Sequence, residues 1–280
     1  VIGGIARFDR SRPPGTPGGA RSHILRAVGE TALVTGASSG LGEQFARQLS
    51  ARGYDVILVA RRKDRLEALA EELPTSAYAI QCDLANEADK LPGKVRQRRL
   101  DVDLLVNNAG FGNHARFLDI DPGSDAEMVR VNCEAVVVLT RAFLPAMVER
   151  GGGGVITVAS TAGFQPLPYE ATYSATKAFA KTFMDALHIE LRGTGVKSLN
   201  VNPGPVPTEW QEIANIPEES IPPGAISAEQ CVAQALKAYE RGKRSVVPGF
   251  VIRQVMRFSA PAPRAVQLRV AERMYRPPQD

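Results

Sequence analysis

Short apolar runs alternate with longer amphipathic stretches from Thr31 to Val247. The runs predict strands at 31–36, 54–60, 76–81, 102–107, 153–159, 196–202 and 244–248. Between them, apolar residues at helical spacing predict helices at 41–52, 63–73, 86–99, 124–149, 172–192 and 228–241. The near-continuous hydrophobicity of ILVA, DLLV and VITVA suits parallel strands covered on both faces. Right-handed crossovers then wind about seven such strands into an open, doubly wound α/β sheet flanked by helices. Pro92 is expected to interrupt or bend the third helix, and Ser227 with Gln230 resembles a capping box.

Composition divides the 280 residues further. Residues 1–29, with RSRPPGTPGGARS, read as a flexible basic Gly/Pro-rich extension. Residues 30–249 read as a single catalytic domain whose segment 208–226 resembles a substrate lid, and 250–280 as an amphipathic basic tail. Lys and Arg total 34 against 30 Asp and Glu, a net charge of +4. No zinc-finger spacing, recognition-helix signature or aromatic RNA-binding motif accompanies that charge, so no nucleic-acid partner is expected. Cys82, Cys133 and Cys231 are isolated, without metal-site spacing, and no bound metal is expected. No secretion signal or spanning helix is expected either, and a reducing, cytoplasmic setting fits best.

The chemistry begins at TGASSGLG. Gly36, Gly40 and Gly42 follow an apolar strand and open a helix with the spacing GxxxGxG, enclosing Ser38, Ser39 and Leu41. Glycine permits a tight turn and close backbone approach, and free N–H groups of the helix N-terminus meet pyrophosphate. The arrangement is Rossmann-like. After the second strand, where a carboxylate would bond a free ribose hydroxyl, stand Arg61 and Arg62. An arginine pair receives a 2′-phosphate by charge-assisted hydrogen bonds, with Ser38 as a further donor, which favours NADP(H) over NAD. Asp83, beside Leu84, follows the third strand, where its carboxylate meets an adenine amino group. Asn107, Asn108, Ala109 and Gly110 follow the fourth; small residues there admit the cofactor and an asparagine amide ties neighbouring strands.

Ser160 ends the fifth strand, and Tyr173 and Lys177 lie one helical turn apart. An ammonium beside a phenol stabilises tyrosinate and is expected to depress its pKa. Tyr173 then exchanges a proton with a carbonyl or alcohol oxygen that Ser160 orients.

With TGASSGLG, NNAG, Ser160, the YSATK segment and PGPVPT in place, residues 29–248 resemble the short-chain dehydrogenase/reductase family. The likeness is nearest to bacterial 3-oxoacyl reductase-like members. It implies that Asn132 kinks a helix and retains a relay water beside Lys177, completing a catalytic tetrad with Ser160, Tyr173 and Lys177. It implies also that Lys177 bonds the nicotinamide ribose, that the Val206 backbone holds the carboxamide, and that Thr208 approaches the pyrophosphate after Pro203 and Gly204. The implied activity is NADP(H)-dependent interconversion of a carbonyl and a secondary alcohol by a homodimer or homotetramer.

For the substrate, Phe164, Gln165, Leu167 and Pro168 are expected to border the reacting carbonyl, and Trp210 and Ile213 to meet it from the lid. FVIRQVMRF and AVQLRVAERMY place apolar residues beside Arg253, Arg257, Arg269 and Arg273. Packing or oligomerisation ranks before peripheral contact with an anionic membrane. An apolar or acyl-type substrate follows. The competing reading is a nucleotide-sensing scaffold whose basic tail engages a partner or membrane.

Overall fold

A computed structural model of the chain describes residues 29–209, 225–259 and 261–276. Among the described residues, seven strands form one parallel sheet in the order β3-β2-β1-β4-β5-β6-β7. They are β1 Thr31–Thr35, β2 Asp55–Ala60, β3 Ala77–Gln81, β4 Leu104–Asn107, β5 Gly154–Val158, β6 Lys197–Val201 and β7 Ser245–Val246. The order reverses between β1 and β4, and the crevice at their carboxyl ends is where ligands collect in such sheets.

Helices cover both faces, as the all-buried β1 and β5 require. On one face, α1 (Gly40–Ser50), α2 (Lys63–Glu72) and α7 (Ala228–Glu240) bury Phe45, Leu49, Leu66, Val232 and Leu236 against Val34, Leu58 and Val106. On the other, α3 (Leu91–Gln97), α5 (Ala135–Arg150) and α6 (Ala171–Glu190) bury Leu91, Val95, Leu139, Met147 and Met184 against Leu33, Ile57 and Leu105. Burying each such side chain stabilises the fold by about 1.5–3 kcal/mol.

Two elements differ from the sequence reading. α3 starts at Leu91, so Pro92 opens it instead of bending it; a proline in the first turn forfeits no helical hydrogen bond. The helix read as 124–149 runs 122–150 in three parts: α4 (Pro122–Val129), a π-helical turn Arg130–Glu134, then α5. Asp121 caps it by accepting from Ser124 N at 2.9 Å. This helix is apolar and long enough to cross a membrane by length and composition, yet it is a core helix, with Ala135, Leu139 and Met147 against the sheet. Ser227 caps α7 through Gln230 N at 3.1 Å, half of the expected capping box.

Two further helices, α8 (Phe250–Ser259) and α9 (Arg264–Tyr275), follow β7. They pack on the catalytic edge. Ala271 of α9 joins a third cluster with Met128, Ala162, Leu167 and Tyr173. The extension 1–28 and residues 210–224, including Trp210 and Ile213, lie outside the described residues.

Candidate active site

The glycine-rich turn leaves no room for side chains. A Cβ on Gly42 would stand 2.0 Å from Gly36 O, and one on Gly36, whose φ is +66°, 2.9 Å from Ala109 Cα. Thr35 Oγ1 accepts from Asn108 N at 2.9 Å and Ala109 N at 3.0 Å, and donates to Val106 O at 3.2 Å. Asn108 Nδ2 donates to Thr35 O at 2.9 Å. This is the strand-tying amide expected from NNAG, and it fixes β1 beside β4 at the crevice. Ser39 makes no side-chain cap to α1, so the first-turn N–H groups are left for an anion. Thr208 faces them, its methyl 3.2 Å from where a Gly40 Cβ would be. Leu41, Asp83, Leu84, Gly110, Pro203, Gly204 and Val206 line the same cavity.

The two arginines after β2 part company. Arg62 turns onto Ser38, donating to its Oγ from Nε at 3.3 Å and Nη2 at 3.1 Å, and pairs with Glu209 at 3.0 Å. Arg61 instead meets Glu127 at 3.1 Å with its side chain 69% exposed. Arg62 and Ser38 therefore form one corner of the cavity, with Arg61 at its rim. Glu209 also pairs with Arg65, and the Arg65 hydrogen bond, then that of Arg62, holds its carboxyl below the usual range. Sequence reasoning missed this acid, which lies 147 residues from Arg62 and carries no motif. Asp83 accepts from Ala85 N at 3.1 Å and Asn86 Nδ2 at 2.7 Å, stiffening the turn after β3.

Ser160, two residues past β5, is extended and caps a short 3₁₀ turn, its Oγ accepting from Ala162 N at 3.1 Å and hydrogen-bonded to Tyr173. Lys177, buried one turn along α6, donates to Val158 O at 3.1 Å, with Nζ 5.8 Å from the Tyr173 ring centre. Asn132 sits in the π turn. Its Nδ2 donates to Phe111 O at 2.9 Å and Thr176 Oγ1 at 3.0 Å, and its Oδ1 accepts from Phe111 N at 3.2 Å. The extra residue of a π turn aims that amide across the helix at the loop after β4. A Cβ on Gly110 would lie 2.9 Å from Asn132 Oδ1 and 3.1 Å from Lys177 Nζ, so any side chain there would wedge the two apart.

The electrostatics correct one expectation. Burial pushes the Tyr173 phenol well above its ordinary range, against the Ser160 hydrogen bond that lowers it, and Glu170 pushes it further up. Burial also brings the Lys177 ammonium down to about 8. Desolvation outweighs the attraction between the two groups that the sequence suggested.

From this corner the cavity extends over about 1430 Å³. Gln165 and Leu167 border it, as expected, whereas the Phe164 ring lies under Lys181, 5.0 Å from its Nζ, and Pro168 is not among the lining residues. The opposite wall comes from the two helices after β7, through Ile252, Val255, Met256, Val270 and Tyr275.

The geometry has relatives. A family model described as short chain dehydrogenase matches residues 30–218. The chain belongs to that family. The NADP-dependent 3-hydroxy acid dehydrogenase YdfG from Salmonella typhi is 38% identical over 180 residues, 61% of this chain and 71% of the relative. The solved short-chain dehydrogenase from Sphingobium yanoikuyae in complex with NADPH is 32% identical with a TM-score of 0.72, over 78% of this chain and 87% of that one. A bulky-bulky ketone specific alcohol dehydrogenase from Comamonas testosteroni is 28% identical with a TM-score of 0.69, over 89% and 99%. This short-chain dehydrogenase is an oxidoreductase acting on a CH–OH group, and its site fits NADP(H): a turn closed to side chains, an uncapped helix start and an arginine–serine corner.

Proposed function

We propose that the protein interconverts a neutral, apolar or acyl-type ketone and its secondary alcohol, with Tyr173 as the acid/base. The carrying observation is the convergence of Ser160, Tyr173 and Lys177 on one cavity beside the glycine-rich turn, with Asn132 bonded behind them to Thr176. When bound, NADPH supplies hydride to the carbonyl carbon. Tyr173 gives its phenolic proton to the carbonyl oxygen, or takes the alcohol proton in reverse. Ser160 holds that oxygen. Lys177 keeps a positive charge near the phenol as its proton leaves, and Asn132 pins the Phe111 loop to α6.

Neutral substrates are favoured by the lining. Its cations are Arg61 and Arg62 at the nucleotide end, Lys177, and Arg276, which is paired with Glu272. Glu170, 4% exposed, places a carboxylate near the reacting phenol. A substrate carboxylate would meet repulsion there, with no free arginine among the described lining residues to answer it, unlike what the name of the Salmonella relative describes. The Comamonas relative's bulky ketones suit the apolar wall better.

The assay follows NADPH oxidation with decan-2-one, 1-tetralone, ethyl acetoacetate and acetoacetate. Ketones and ester turn over, and the free acid falls at least tenfold behind its ester. Tyr173→Phe reduces turnover by roughly 100- to 10,000-fold while NADPH still binds; undiminished turnover refutes the role. For assembly, the exposed Val137 and Val148 on α5 and Phe179 and Ile189 on α6 support self-association into a homodimer or homotetramer. Exposed Phe250, Phe258 and Met274 beside Arg253, Arg257 and Arg273 support peripheral contact of the last two helices with an anionic membrane, and the setting remains cytoplasmic in this reading.

A further inference from the structure

Glu170 has no part in the proton chemistry, yet its carboxylate is buried in the wall of the cavity, close enough to raise both phenols, Tyr173 and Tyr275. His114 Nδ1 lies 3.3 Å from Glu170 Oε1, and the His114 side chain is 14% exposed. The Tyr275 ring stands 6.2 Å from the imidazole, centre to centre, at 48°. All three line the cavity.

Three separate segments are held together to form this cluster. Ala115 N donates to Tyr169 O at 3.0 Å, joining the loop after β4 to the entry of α6. Tyr169 itself holds φ at +67°, a left-handed conformation that strains a tyrosine. Arg276, next to Tyr275, hydrogen-bonds the Tyr169 side chain and brings α9 in as the third segment. A histidine, a glutamate and a phenol gathered in this way beside the apolar wall of α8 and α9 call for a ligand group.

We propose that His114, Glu170 and Tyr275 form a second polar subsite that binds a hydroxyl group on an otherwise apolar ketone substrate. Nδ1–H donating to Glu170 fixes the imidazole tautomer, so Nε2 presents a lone pair to the cavity and accepts the hydroxyl hydrogen. The Tyr275 hydroxyl donates to the same oxygen. Glu170 makes the subsite reject carboxylates and prefer a neutral donor. The assignment rests on the ketone-reductase reading above: the subsite would fix which face and which carbonyl of a hydroxylated skeleton reach Tyr173.

The test compares kcat/KM for 1-tetralone and its ring-hydroxylated isomers with NADPH, in the wild type, His114→Phe, His114→Gln and Tyr275→Phe. At least one hydroxylated isomer is expected to exceed the parent by about tenfold or more, since a site built to bond a hydroxyl discriminates against its loss. That ratio falls to about one in His114→Phe, drops at least threefold in Tyr275→Phe, and survives in part in His114→Gln, which keeps an acceptor. No preferred isomer in the wild type, or a ratio intact in His114→Phe, overturns the subsite. Should His114→Phe not fold, the Tyr275→Phe and His114→Gln ratios decide. If no ketone is reduced at all, it is the reductase reading that fails. The subsite is then read from the melting temperature of NADP⁺-loaded enzyme: a larger rise with a hydroxylated isomer than with the parent, lost in Tyr275→Phe, supports it, and equal rises refute it.

Discussion

Lys177→Met isolates the cost of burying an ammonium in the cofactor-free enzyme. Burial takes this group from 10.5 to about 8, a difference of 10.5 − 8 = 2.5 units. At about 1.4 kcal/mol per unit, the charged lysine costs the fold about 3 kcal/mol at pH 7, where it is protonated folded and unfolded alike. The sign follows from proton counting. Between pH 8 and 10.5 the unfolded chain holds the proton that the folded chain has released, so stability rises with pH across that window. The hydrogen bond to Val158 O, worth about 1 kcal/mol, is lost in the variant at every pH and offsets part of the gain. The difference between pH values is therefore the clean quantity. Relative to Lys177→Met, the wild type should gain about 2 kcal/mol from pH 7 to pH 10, measured by urea unfolding of both proteins at each pH. Both chains keep Tyr173, so its own titration largely cancels. A difference that does not change with pH would refute the argument.

Arg62→Ala should raise the KM for NADPH and reduce the preference over NADH by roughly 10- to 100-fold, because a charge-assisted phosphate contact worth about 1.5–3 kcal/mol is lost. Initial rates with both cofactors check it. Glu209→Gln removes the acid that competes with phosphate for Arg62, and should tighten NADPH binding about threefold without moving NADH, read by fluorescence titration. Gly42→Ala drives a Cβ into Gly36 O at 2.0 Å, so cofactor binding should be abolished and the melting temperature lowered, both by thermal shift with and without NADPH.

Periodicity located every strand end within two residues, the largest shifts being the start of β4, from 102 to 104, and the end of β7, from 248 to 246. Long buried runs admit one reading in a helix-covered parallel sheet. The nearness of Tyr173 to Lys177 and the glycine turn were legible because spacing is itself geometry there: Tyr173 and Lys177 share a helix face, and Gly36, Gly40 and Gly42 share a turn. Glu209, Glu170 and His114 were not, since each acquires its surroundings from segments far away in the chain. The raised Tyr173 phenol was missed for a related reason. Spacing reveals a neighbouring charge, whereas burial depends on Leu167, Met128 and Ala271 arriving from three other elements.

The wall that α8 and α9 contribute divides labour within the enzyme. In the proposed function, nucleotide grip and proton exchange reside before Glu209, while much of the surface that a guest molecule would feel is supplied after Gly249. Exchanging those two helices between relatives would offer a route to new substrate scope, provided that the small residue at Ala271 packed against Tyr173 is kept.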